Sequence, residues 1–224
     1  MEIKYGYFIG GIILFIVWLI LFFIRKDLQK EIIFASILGL PFAFTEFLFV
    51  PEYWNPPSLF NLISNIGFGI ESLMFAFFVS GICSITFEIL TSKKLFHFSK
   101  YNRFRYIPYI CILSTFIILE LIFPNKSIYN LMISFSIGAI LLFSLRKDLL
   151  IQILSSGLIF SILYFLLFLY FNELFPQYIT NIYSLKNFWG IVIFKVPLEE
   201  ILFAFTVGMC YSSLYEFINN YKTS

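Results

Sequence analysis

The chain has 224 residues, is 60% hydrophobic and 22% aromatic, and carries only 12% charged residues with a net charge of +2. An average soluble domain is about 25% charged, so this composition excludes a disordered chain, a nucleic-acid module and an ordinary soluble enzyme. The mean hydropathy of +0.91 points to an integral membrane protein with the lipid bilayer as its surroundings. Roughly 20 apolar residues cross a bilayer as a helix, so a bundle of such spans would occupy nearly the whole chain.

Seven apolar segments follow in chain order, at about 7–24, 32–50, 66–90, 107–123, 128–145, 150–175 and 189–218. The first does not read as a cleaved signal: it is too long, lacks a basic leader and has no small-residue cleavage site. Between the second and third, Pro51-Glu52-Tyr53-Trp54-Asn55-Pro56-Pro57 reads as an outer loop. Adjacent prolines forbid helix there, and Tyr53 and Trp54 suit the headgroup layer. The stretch 91–106 is basic and aromatic and belongs on the inner leaflet. Its His97 is the only histidine, reads as an interfacial residue, and cannot build a multi-histidine metal site; no metal is expected. Cys83, Cys111 and Cys210 all fall in apolar runs and read as packing residues rather than a disulfide framework.

Lysine and arginine counts set the orientation. Arg25, Lys26, Lys30, Lys93, Lys94, Lys100, Arg103, Arg105, Arg146, Lys147 and Lys222 put eleven basic residues on one side, against Lys4, Lys126 and Lys186 on the other. An outside N-terminus, seven spans and a cytoplasmic C-terminus in the cell membrane satisfy that asymmetry.

The chain also repeats itself. Arg-Lys-Asp-Leu occurs at 25–28 and at 146–149, each time opening an apolar span. In matching order, Phe44-Thr45-Glu46 aligns with Phe171-Asn172-Glu173, residues 69–77 with 197–205, and Phe87-Glu88 with Tyr215-Glu216. The fold class expected is therefore all-α: a single polytopic membrane domain over 1–224. It consists of a three-helix repeat at 7–90, a basic loop and linker helix at 91–127, and a second repeat at 128–218. A single linker span makes the two repeats parallel.

Acids inside apolar spans are expensive and point to function. Glu46, Glu71, Glu173, Glu199 and Glu200 lie near the outer ends of their spans and could converge on one pocket. Pro197 suits the first turn of the last span, and a helix start favours the two acids behind it. Burial favours a neutral carboxyl, so two adjacent acids in a dry pocket suit a general acid and base. Glu88 lies 17 residues beyond Glu71, roughly 25 Å along a helix, and belongs with Glu216 to the inner end. There Arg25, Asp27, Arg146, Asp148, Glu88 and Glu216 read as interfacial ion pairs. Glu120 reads as an interfacial residue without a role. The 32 Phe, 14 Tyr and 3 Trp are mostly lipid-facing, but a cavity lined with aromatic faces and buried acids also suits a carbocation.

The two Arg-Lys-Asp-Leu corners, the Tyr53-Trp54-Asn55-Pro56 loop and Pro197-Leu198-Glu199-Glu200-Ile201-Leu202-Phe203 resemble the lycopene cyclase domain family. These are membrane-embedded carotenoid cyclases, made of two three-span subunits or one fused chain, with a Pro-x-Glu-Glu/Asp-x-x-Phe signature. The resemblance covers nearly the whole chain. It implies an isomerase of the intramolecular lyase type in carotenoid biosynthesis. The reaction is a cofactor-free, non-redox closure of the end of a linear carotenoid, started and finished by proton transfer. By the same resemblance Glu199 and Glu200 form the acid/base pair and Glu71 is their counterpart in the first repeat. Glu46, Glu173, Pro197, Trp54 and Asn55 support the pocket. The first repeat departs from the signature, with Gly69 in place of Pro and Ser72 in place of the second acid.

Rival readings fit less well. A glutamate-type intramembrane protease requires an Arg soon after the Glu pair and several His residues. A retinal protein would need a lysine deeper than Lys195. A non-catalytic isoprenoid or lipid carrier, or a proton-coupled transporter, is the alternative that the buried acids leave open. The expected partner is a carotenoid or other isoprenoid and not nucleic acid; the oligomeric state, a homo-oligomer included, is left open.

Overall fold

A computed structural model describes residues 3–91, 95–97, 104–184 and 188–223. Lys93, Lys94, Lys100 and Arg103 of the basic stretch, and Lys186, lie outside the described residues. The fold is nearly all helix, as the composition requires. In chain order the helices are α1 (Gly6–Ile24), α2 (Gln29–Ala43), α3 (Glu46–Phe49), α4 (Leu62–Ile66), α5 (Ile70–Ser84), α6 (Thr86–Thr91), α7 (Ile107–Ile122), α8 (Ser127–Leu145), α9 (Leu150–Leu174), α10 (Tyr178–Ile182) and α11 (Leu198–Asn219). Among the described residues four short strands form two antiparallel pairs: β1 (Leu95–His97) with β4 (Tyr221–Thr223), and β2 (Val192–Ile193) with β3 (Val196–Pro197).

Among the described residues five stretches are long and apolar enough to cross a membrane: Gly6–Ile24, Ile70–Thr91, Ser127–Leu145, Lys147–Leu174 and Leu198–Asn219. Ile107–Ile122 is apolar but shorter. Two of the seven expected segments change form. The segment 32–50 breaks after α2, because Pro41 has no N–H to give its helix and Thr45 turns back on Phe42, its hydroxyl donating to that carbonyl at 2.7 Å. The segment 189–218 begins as a β2–β3 hairpin, and helix starts only at Leu198. Phe194 and Lys195 occupy the hairpin turn, both at positive φ, the left-handed pair a tight hairpin turn needs. Pro197 accordingly closes strand β3, one residue ahead of the helix turn in which the sequence would place it.

The chain divides into two compact units. The first comprises Met1–Ile82 and Leu163–Ile201. Its helices approach closely at small residues, as membrane helices do. A side chain on Gly39 of α2 would strike the Ala76 carbonyl and the Ser80 hydroxyl on α5. Trp18 of α1 donates its indole N–H to Ser36 of α2 at 3.0 Å, and a side chain on Gly11 would meet Met74. The outer face of α1 exposes Phe15, Ile16, Ile20, Phe23 and Ile24, a surface suited to lipid rather than water.

The second unit comprises Cys83–Ile162 and Leu202–Ser224. α7 and α8 form an antiparallel hairpin, tied where they meet by Glu120, which accepts from Asn130 Nδ2 at 2.9 Å and Ser127 Oγ at 3.2 Å. Glu120 thus has a structural role that the sequence did not suggest. α9 and α11 touch backbone to backbone: a Cβ on Gly208 would lie 2.8 Å from the Ser156 carbonyl oxygen and 2.9 Å from Gly157 Cα. Cys83 and Cys210 are buried and Cys111 half-buried, all three free thiols, as expected of packing residues.

Candidate functional site

The acids predicted for an outer pocket are, with one exception, buried in the first unit. Glu71 stands in the first turn of α5, and Glu199 and Glu200 in the first turn of α11, where a helix dipole favours negative charge. Glu46 opens α3. All four are buried, Glu199 completely. Glu173, near the end of α9, is exposed and does not join them.

The three helix-start acids divide by their partners. Glu71 Oε1 accepts the backbone N–H of Leu59 at 2.7 Å. Glu199 Oε1 accepts the backbone N–H of Trp189 at 2.6 Å. Each therefore ties down the loop that leads into its own helix. Glu200 faces side chains instead. Tyr53 donates to its Oε1 at 2.6 Å and Tyr164 to its Oε2 at 3.1 Å, and the Tyr183 hydroxyl reaches the same carboxylate. Burial first, and then the neighbouring Glu200, hold the Tyr53 phenol well above the usual range, so at physiological pH it stays an O–H donor.

The outer loop supplies this cage. Asn55 donates its N–H to the Ile182 carbonyl at 2.8 Å, and Ser184 returns one to the Tyr53 carbonyl at 2.9 Å. Trp54 pairs with Tyr183 as an isolated bridge. Asn55 is thus a backbone anchor with an exposed side chain. The rings continue from there: Tyr7 packs edge-on against Trp54 at 4.7 Å, Trp54 lies 5.7 Å from Tyr183, and Tyr53 contacts Tyr183 and Phe188 at 5.6 and 4.8 Å. At the Tyr7 end stands Glu46, whose Oε2 is 3.5 Å from the Tyr7 hydroxyl and which interacts electrostatically with Glu71. A row of aromatic faces therefore runs between Glu200 and the Glu46–Glu71 pair. Such an array can move a proton at either end and shelter a positive charge between.

The inner-end residues sort differently. Arg25 makes a two-pronged ion pair with Asp27 at 2.8 and 3.0 Å, and Arg146 does the same with Asp148 at 2.6 and 2.8 Å. Both pairs sit in short 3₁₀ turns, Lys26–Leu28 and Lys147–Leu149, so the two Arg-Lys-Asp-Leu corners share one local form. Glu88 and Glu216 are fully buried in the second unit, and their carboxylates meet the amide of Gln152. The ion pairs thus join Arg25 to Asp27 and Arg146 to Asp148, whereas Glu88 and Glu216 lie in the interior of the second unit. Lys195, at the exposed hairpin tip, is far from the helix interior a Schiff-base lysine would need.

Sequence reading missed Tyr53 as a partner of Glu200, and missed Tyr164, Tyr183 and Gln152 altogether. Three tyrosines among 49 aromatic residues carry no distinguishing signal. Gln152 does: it is an amide within an otherwise apolar run.

In comparisons with known proteins, the model of the lycopene cyclase family matches residues 125–218. That region holds Glu199, Glu200 and the second Arg-Lys-Asp-Leu corner. No curated protein and no solved structure matches the chain. The resemblance to the lycopene cyclase domain family is thus shown, carried by residues 125–218.

Proposed function

We propose that this protein is a multi-pass membrane cyclase that closes a ring at the end of a linear carotenoid or related isoprenoid, with Glu200 as the proton-transferring carboxylate. The observation that carries this is the Glu200 cage: a buried carboxylate held through both oxygens by tyrosine hydroxyls, beside a row of aromatic faces. Glu200 and Tyr164 stand within the part of the chain that matches the lycopene cyclase family, and Tyr53 reaches Glu200 from outside it.

The chemistry balances without redox. A proton adds to the terminal carbon–carbon double bond and leaves a tertiary cation. The neighbouring double bond gives its electron pair to form the ring bond and moves the positive charge one step along. Loss of a proton then makes a new double bond, so product and substrate are isomers. Glu200 stands at one end of this proton traffic; Tyr53, Tyr183, Trp54 and Phe188 offer ring faces to the cation. Glu199 and Glu71 act through the loops they anchor. In this reading the chain crosses the bilayer with its N-terminus outside, as two related three-helix halves. The matching Arg–Asp corners and the matching loop contacts of Glu71 and Glu199 support that relation.

The test is expression in cells that accumulate lycopene, with chromatography of the pigments. The wild type is expected to yield a cyclic product and Glu200→Gln at least about 10²-fold less, the usual worth of a positioned proton-transfer group. Glu199→Gln keeps an amide oxygen for the Trp189 N–H and is expected to retain most activity. Unchanged lycopene from folded, inserted wild type would reject that substrate, and an active Glu200→Gln would reject the site.

A further inference from the structure

In the second unit, three helices bring oxygen atoms to one point. Glu88 comes from α6, Gln152 from α9, and Ser212 and Glu216 from adjacent turns of α11. Glu88 and Glu216 are fully buried and Gln152 is 2% exposed. Carboxylate oxygens of Glu88 and Glu216 lie within 4.8 Å of each other. The Gln152 Nε2 position is 3.1 Å from Glu88 Oε1, 2.6 Å from Glu216 Oε1 and 2.5 Å from the Ser212 carbonyl oxygen.

Three acceptors surround a group that has two protons, and 2.5 Å is short for an N–H···O bond. Meanwhile Gln152 Oε1 and Ser212 Oγ are buried without a hydrogen-bond partner. The guanidinium of Arg146 acts on Glu216 only through its field; its hydrogen bonds go to Asp148 and the Tyr221 carbonyl. Oxygen and nitrogen of a glutamine amide occupy equivalent positions. With the amide turned over, Gln152 Oε1 joins two carboxylates and a carbonyl in an all-oxygen set carrying two negative charges.

We infer that Glu88, Glu216, Gln152 and the Ser212 carbonyl form a binding site for one hard divalent cation. Oxygen donors of this kind suit Mg²⁺, Ca²⁺ or Mn²⁺ rather than softer metals. The ion clamps α6, α9 and α11 together and is structural; it takes no part in the chemistry assigned to Glu200.

The test uses the full chain in detergent after chelation. Mn²⁺ is titrated and followed by the loss of the free-ion signal in electron paramagnetic resonance, with Mg²⁺ and Ca²⁺ as competitors. About one ion per chain is expected, with a rise in Tm of about 5 °C at saturation. Affinity should fall at least tenfold in Glu216→Gln and in Glu88→Gln. Gln152→Glu separates the readings even if those variants fold poorly. A third carboxylate tightens a cation site several-fold, whereas in a cluster held by the amide N–H it removes the shared donor and lowers Tm with or without ion. Mn²⁺ uptake equal in the wild type and Glu216→Gln, or a Gln152→Glu chain that gains no affinity, would overturn the site and leave two carboxyls sharing a proton.

Discussion

Tyr53 and Glu200 carry the sharpest expectation at the residue scale. The 2.6 Å phenol–carboxylate bond is short and charge-assisted, and bonds to charged groups contribute about 1.5–3 kcal/mol. Tyr53→Phe removes the donor and leaves the ring against Tyr183 and Phe188. It is therefore expected to slow cyclisation about 10- to 100-fold and to lower Tm by about 3–10 °C. Tyr164→Phe, which removes a 3.1 Å bond, should cost less. Product formation in pigment extracts, read beside thermal unfolding, decides it; equal losses in both variants would mean that the ring stack, not the short bond, holds the carboxylate. The same scale separates neighbours that a motif treats as one. Glu199 and Glu200 are adjacent in the chain, yet successive helix positions diverge by about 100°. One therefore faces the incoming loop and the other the tyrosines.

Helix contacts set the tolerances at the element scale. Gly208 of α11 meets backbone of α9, and neither the Ser156 carbonyl nor Gly157 Cα can rotate away. Gly208→Ala should therefore cost about 1–3 kcal/mol, the usual range for overpacking. That corresponds to a fall of about 3–10 °C in Tm by scanning fluorimetry. Gly10 of α1 is the contrast. A Cβ there would stand 3.4 Å from the Phe171 ring edge, an ordinary contact, so Gly10→Ala should be neutral or slightly stabilising because alanine is the better helix former. A Gly208→Ala chain as stable as the wild type would mean that α9 and α11 move apart without cost. The two Arg-Lys-Asp-Leu corners belong to this scale too. Asp two residues after Arg closes a fork-to-fork pair beside a 3₁₀ turn, so these two tetrapeptides share one local form.

The basic-residue asymmetry makes an orientation testable for the whole molecule. Glu52 and Lys126 are exposed and assigned outside; Lys26 and Lys147 are exposed and assigned to the cytoplasm. Single cysteines at these positions, in a chain with Cys111→Ser, should divide cleanly. Glu52→Cys and Lys126→Cys should react with a membrane-impermeant maleimide on intact cells. Lys26→Cys and Lys147→Cys should react only after permeabilisation. The opposite pattern would invert the topology, and labelling of all four from one side would reject the span count. Native Cys83 and Cys210 are buried and stay silent in this assay.

Composition and periodic apolar runs determined the class of this chain. Helix is the form in which a single chain segment satisfies its own backbone in hydrocarbon, so five of the apolar stretches become long helices, while the stretches at 32–50 and 189–218 are interrupted by a break after α2 and by the β2–β3 hairpin. The acids at the starts of α5 and α11 and the Arg–Asp corners were equally legible, because their geometry depends on residues a few positions apart. What tertiary structure alone decided is which side chain meets which. Tyr53 reaches Glu200 across 147 positions, and Gln152 reaches Glu88 and Glu216 across 64; no local pattern encodes contacts of that range. Glu173 aligns with Glu46 in the sequence yet lies exposed while Glu46 is buried. Burial is a property of the surrounding helices, and the motif supplies only the carboxyl.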